Sequence, residues 1–142
     1  MKVKELMTRN VVRVGREESV SVAARSLAHH NIGALPVCGA DGALQGMITD
    51  RDIVTRCLAA NRSPEQTRVA DVMTGQVVSV TPDMDAGVAA HLMGTRQVRR
   101  LPVVENGKLC GMLSLGDLAQ CEENAYDASD ALGAITSNVS DR

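Results

Sequence analysis

Two short stretches concentrate the chemically capable side chains of this chain. In Gly46-Met47-Ile48-Thr49-Asp50-Arg51-Asp52-Ile53 a hydroxyl is followed three residues later by a carboxylate, and Gly111-Met112-Leu113-Ser114-Leu115-Gly116-Asp117-Leu118 repeats the arrangement. Each reads as an apolar strand that turns directly into a helix. The spacing is that of a capping box, in which the hydroxyl accepts from a backbone N–H of the first turn and the acid sits at the positive end of the helix dipole. The same geometry suits a ligand. Free N–H groups at a helix start attract an anion, and a neighbouring carboxylate can hold the two hydroxyls of a ribose. Caps are far commoner than ligand sites, yet the two roles are compatible, so local chemistry leaves both open.

Other candidates are weaker. Arg99-Arg100 offers two guanidinium forks for a phosphate, or else a solvated strand edge paired with Glu122 or Glu123. His29, His30, His91 and the four cysteines, Cys38, Cys57, Cys110 and Cys121, show no C-x-x-C pair and no zinc-ribbon spacing. Adjacent His29 and His30 point to different faces of a helix. Metal or redox sensing therefore ranks third, and the cysteines read as small core residues or free thiols of a reducing compartment. No nucleophile, base and orienting group fall into a recognisable set, so the chain does not read as an enzyme.

Composition excludes further classes. The net charge is −2, with 44% hydrophobic and 23% charged residues among 142, which leaves no basic face for nucleic acid or an acidic membrane. With no Trp, no Phe and only Tyr126, there is no platform for stacked bases. The N-terminus lacks an apolar signal region and no run is long enough to span a bilayer, so a cytoplasmic protein is expected.

The elements that must position the two motifs are themselves duplicated. At an offset of 66, Val3, Met7-Thr8, Val11-Val12, Ala23-Ala24 and Leu35-Pro36-Val37 match Val69, Met73-Thr74, Val77-Val78, Ala89-Ala90 and Leu101-Pro102-Val103. After the turn, Gly42, Leu44, Gly46-Met47 and Asp52 match Gly107, Leu109, Gly111-Met112 and Asp117. Each copy predicts a helical turn (3–7; 69–73) and a Val-rich strand (11–14; 77–80). A helix with an apolar stripe follows, at Val20, Ala23, Ala24, Leu27 and Ala28, or Ala86, Ala89, Ala90 and Met93, the latter entered through Thr81-Pro82-Asp83. A hairpin turns through Asp41-Gly42 or Asn106-Gly107, because Gly tolerates positive φ. A last helix starts at the motif, with Ile53, Val54, Cys57 and Leu58 on one face of the first copy. The expectation is a mixed α/β (α+β) protein of tandem β-α-β-β-α repeats at 3–59 and 69–121, packed as one pseudo-two-fold module. A polar linker covers 60–68. A partly helical tail follows at 122–142, with an apolar face of Tyr126, Ala128, Leu132 and Ile135 available for dimer contacts and a frayed end.

Val-Met-Thr at the entry, Leu-Pro-Val on the second strand and Gly-Met-Ile-Thr-Asp-Arg-Asp-Ile before the last helix resemble a cystathionine-β-synthase (CBS) domain pair of the small stand-alone bacterial type. The resemblance covers nearly all of residues 3–120 and implies a regulatory module without chemistry of its own. It would bind an adenosyl ligand, AMP, ADP, ATP or S-adenosylmethionine, in clefts between the repeats. One cleft would use Thr49, Arg51 and Asp52, facing Thr74, Val77, Ser79, Val98, Arg99 and Arg100. The other would use Ser114, Gly116 and Asp117, facing Thr8, Val11, Arg13, Ile32, Gly33 and Ala34.

The clefts so implied differ. Arg99 and Arg100 have Gly33 and Ala34 as counterparts, and Arg51 has Gly116, so a charged nucleotide is expected at the cleft around Asp52. Without aromatics, adenine would lie between aliphatic side chains such as Val98 and Ile32, in keeping with micromolar or weaker binding. The expected protein is a homodimer whose ligand-dependent packing is read by a regulated partner. The alternative is a ligand-free dimer that acts as a protein-interaction module.

Overall fold

The computed structural model describes residues 1–121 and 124–140, with side chains to residue 137. The chain divides into two compact units: a central unit, Val12–Val77, and a terminal unit built from Met1–Val11 and the chain from Val78 onward. Both mix helix and strand.

The central unit contains α2 (Val20–His30), β1 (Ala34–Cys38), β2 (Leu44–Thr49) and α3 (Asp50–Ile53), which continues into a π-helical turn at Val54–Leu58. A 3₁₀ turn at Val69–Asp71 completes it. The terminal unit opens with α1 (Val3–Leu6) and resumes with α4 (Ala86–Arg96), β3 (Arg100–Glu105), β4 (Lys108–Ser114), α5 (Leu115–Ala119) and α6 (Ala125–Ser140). The opening turn of each repeat thus belongs to the unit built on the other repeat's hairpin.

Each unit is centred on an antiparallel hairpin. Strands β1 and β2 pair from Ala34↔Thr49 to Cys38↔Leu44, and β3 and β4 from Arg100↔Ser114 to Glu105↔Lys108. The second turn needs two residues in the left-handed region, Asn106 at φ 55° and Gly107 at 79°. The first is a longer loop in which only Gly42 takes positive φ, and the Asp41 carboxylate accepts from Ala43 N at 3.1 Å. The Val-rich entry segments, expected as strands over 11–14 and 77–80, instead make single parallel bridges, Val14 to Val37 and Val80 to Val103. Proline limits the ladder there: Pro36 and Pro102 accept from Val14 and Val80 through their carbonyls at 3.1 and 3.0 Å but have no N–H to return.

Helix α4 buries its whole apolar stripe, Ala86, Ala89, Ala90 and Met93. Asp85 caps it, three residues beyond Pro82, whose carbonyl receives Lys4 N at 2.9 Å. Helix α2 buries Val20, Ala23 and Leu27 but leaves Ala28 exposed. The 60–68 segment is more than a spacer, because carbonyls of Thr67 and Pro64 accept from Val20 N and Ser21 N at 2.8 and 2.9 Å and so satisfy the first N–H groups of α2.

Two apolar faces differ from the sequence expectation. After α3, Ile53 and Cys57 are buried while Val54 and Leu58 are exposed. Bonds from Ala59 N to Val54 O and from Arg62 N to Cys57 O span five residues, and this wider turn keeps only Ile53 and Cys57 on the core. In α6 the buried residues are Ala128, Ala131 and Ile135, while Tyr126 is 80% exposed and Leu132 also faces outward. The cause is the close approach to α4: a Cβ on Gly94 would lie 3.3 Å from Ala131 Cα, a spacing that admits only small side chains. The expected frayed end lies outside the described residues.

The tightest contacts join entry segments to hairpins. Thr74 and Met47 exchange both backbone bonds at 2.8 and 3.0 Å, as do Thr8 and Met112 at 2.8 and 2.9 Å. A Cβ on Gly46 would stand 2.5 Å from Thr74 O, and one on Gly111 2.9 Å from Thr8 O. Gly46→Ala is therefore expected to cost about 2 kcal/mol, lowering the melting midpoint by about 5 °C in a calorimetric scan. Gly75→Ala, where nothing lies within 4 Å, should leave it unchanged or slightly raised.

Candidate functional site

Both hydroxyl–acid motifs form complete capping boxes. Thr49 Oγ1 accepts from Asp52 N at 3.0 Å, and the Asp52 carboxylate accepts from Thr49 N at 3.0 Å. The corresponding distances for Ser114 and Asp117 are 3.1 and 2.9 Å. Asp52 is 8% exposed, and its second oxygen lies 3.8 Å from Arg56 Nε. Each carboxylate thus spends one oxygen on its own helix start. That fixes the hydroxyl and the acid at the end of a rigid strand, which is also what a polar binding site requires.

Each unit gathers its own set around the motif. In the central unit Ala34 pairs with Thr49, Asp50 N donates to Gly33 O at 3.0 Å, and Thr74 joins the strand two residues before Thr49. Arg51 is exposed, Val77 half-buried, and Ile32 packs against the local core. Arg13 stands apart, since its guanidinium is a hydrogen-bond partner of the Cys38 thiol at the opposite end of β1 from Ala34, about 13 Å along the strand. In the terminal unit Arg100 lies opposite Ser114, Leu115 N donates to Arg99 O at 2.8 Å, and Thr8 joins β4 two residues before Ser114. Val11 is half-buried there, Val98 packs against the core, and Ser79 is exposed.

The terminal unit adds a groove of about 560 Å³ beside its motif. Arg99, Arg100, Ser114 and Gly116 border one end. Leu115 and Ala119 form an apolar floor, and α6 closes the far side with Ala125, Ala128, Ser129 and Leu132. Neither arginine makes an ion pair with a described carboxylate. Glu122 and Glu123, the partners considered from the sequence, lie outside the described residues. The α6 residues were not among the sequence candidates. The helical pattern of the tail was readable, but which of its faces meets the groove depends on the Gly94–Ala131 contact.

The other candidates carry less. A cavity of about 220 Å³ between α4 and α6 holds His91, Asp127 and Asp130. Among the described residues no three His, Cys, Asp or Glu side chains stand close enough to share a metal ion. Burial pushes the Cys38 thiol above its ordinary range, partly opposed by Arg13, and burial followed by Glu105 does the same to Cys110. Both are held as the less reactive thiol. No helix of the described residues is long and apolar enough to cross a membrane.

The family model for the CBS domain matches residues 3–59 and 69–123, over both copies of the duplicated pattern. The chain belongs to the CBS-domain family. It is 41% identical over 134 residues to the CBS domain-containing protein YhcV of Bacillus subtilis, covering 94% of each chain. It also resembles the crystal structure of Hypoxic Response Protein I with two coordinated zinc ions, at a TM-score of 0.78 and 34% identity, over 84% of this chain and 98% of the other. A third likeness is to CBSX2 in complex with AMP, at a TM-score of 0.75 and 29% identity, over 84% of this chain and 93% of the other. The match to the family ends before α6, so the helix that closes the groove lies beyond the CBS repeats.

Because the boxes hold their helix starts whatever else they do, Thr49→Val and Ser114→Ala should each lower unfolding free energy by about 1 kcal/mol in urea titrations without ligand.

Proposed function

We propose that this CBS pair is a non-catalytic sensor that binds an adenosyl ligand and signals by a change of packing. The observation that carries the reading is the groove bordered by Arg99, Arg100 and Ser114, basic at one end and apolar at the other. Its volume of about 560 Å³ falls in the usual range for small-molecule sites, 300–1,000 Å³. Arg99 and Arg100 bind phosphate through their guanidinium forks, while the hydroxyl of Ser114 and the unspent carboxylate oxygen of Asp117 take the sugar. The family resemblance and the AMP complex of CBSX2 support an adenine nucleotide over other anions. Thr49, Arg51 and Asp52, with Thr74 and Val77, form the corresponding candidate set in the central unit. Ser79 and Val98, together with Thr8, Val11, Ile32, Gly33 and Ala34, complete the proposed linings. AMP, ADP, ATP and S-adenosylmethionine are the ligands to compare. The protein acts in the cytoplasm as a homodimer, and ligand shifts its population of conformations toward one that a regulated partner reads.

A second reading is a ligand-free dimer used for protein interaction. It is favoured by the capping boxes, which occupy Asp52 and Asp117 without a ligand, and by the exposed pair Val54 and Leu58.

Thermal-shift and calorimetric titrations of wild type with these four ligands and adenosine separate the readings. A ligand at 100 times its dissociation constant should stabilise the fold by about 2.7 kcal/mol. In Arg99→Ala/Arg100→Ala the advantage of AMP over adenosine should shrink by tenfold or more, each charged hydrogen bond being worth about 1.5–3 kcal/mol. Asp52→Ala and Asp117→Ala report which unit holds the sugar. A well-folded wild type that binds none of the compounds overturns the sensor reading in favour of the interaction module.

A further inference from the structure

Resting on the adenosyl reading above, we infer that α6, a helix outside the CBS repeats, supplies the wall that receives the base. The terminal groove has two ends of different chemistry. Arg99, Arg100 and Ser114 make the polar end, whereas Leu115, Leu132 and Ala128 make the other. An amphipathic ligand with an anion at one end and a flat, weakly polar ring at the other matches this division, and a nucleoside monophosphate has that form.

The orientation of α6 is fitted to this role. Among its described side chains the helix carries carboxylates at Asp127 and Asp130 and no cation. Both aspartates line the cavity on the α4 side, while the residues turned to the groove are Ala125, Ala128, Ser129 and Leu132. An acidic helix therefore closes a basic groove without presenting a carboxylate to its lining, and the arginines are left for a ligand anion. The register is held by the Gly94–Ala131 approach, where a Cβ would lie 3.3 Å from backbone, so a rotation of α6 would carry bulk into that contact. Leu132 is 42% exposed, an unusual position for a leucine beside a groove unless something covers it. With no Trp or Phe in the chain and Tyr126 turned away at 80% exposure, aliphatic contact from α5 and α6 is what the groove offers a purine.

A base wall acts on nucleoside and nucleotide alike, whereas the arginines act on the phosphate alone. The test is titration of the full chain with AMP and with adenosine, in wild type, Leu132→Ser, Ser129→Trp and Tyr126→Ser. All three positions are exposed, so the variants should melt like wild type. Leu132→Ser is expected to weaken both ligands by the same factor, about tenfold. Ser129→Trp should fill the groove and abolish both, and Tyr126→Ser on the outer face should change neither. If wild type binds AMP while Leu132→Ser and Ser129→Trp bind both ligands as wild type does, the inference is overturned and the adenosyl reading stands. Should wild type bind neither AMP nor adenosine, the inference falls, and the wider ligand panel decides the reading.

Discussion

The constraint on which the rest depends is the approach of two backbone segments at Gly46 and again at Gly111. Thr74 and Thr8 each exchange a pair of hydrogen bonds with the residue after the glycine, and the carbonyl of each occupies the space a Cβ would need. This docking ties the opening turn of each repeat to the hairpin of the other, so a unit is made from parts of both repeats. It also sets the line of β2 and β4, whose last residues are Thr49 and Ser114. The hydroxyl–acid motifs therefore inherit their position from a steric requirement two to three residues earlier.

Capping and binding draw on the same atoms at these strand ends. A short helix such as α3 or α5 has little internal support, and the reciprocal bonds of the capping box hold its first turn. Holding that turn also immobilises the hydroxyl and the carboxylate before any ligand arrives, so less ordering remains to oppose binding. The energy spent on the cap and the geometry needed for a ligand are the same arrangement seen from two sides.

The two units then diverge through what surrounds equivalent motifs. Gly33 and Ala34 flank Thr49 where Arg99 and Arg100 flank Ser114, and the arginines lie on a groove walled by α6. In the central unit the corresponding helix passes into a π turn that leaves Val54 and Leu58 uncovered. Duplication supplied two similar frames, and a handful of side chains together with one appended helix made them chemically unlike.

The sequence by itself determined the repeats, the hairpins, the stripe of α4 and both capping motifs, because periodicity, Asn-Gly and Asp-Gly turns and a hydroxyl–acid spacing are local signals. It also carried the family, through motifs recurring in order. Tertiary structure alone decided that Arg99 and Arg100 border Ser114, that Arg13 turns to Cys38, and that α6 buries Ala131 in place of Tyr126 and Leu132. These are set by close approach between segments far apart in the chain. Whether a glycine faces empty space or another backbone, as Gly75 and Gly46 respectively do, leaves no mark in its own neighbourhood of sequence.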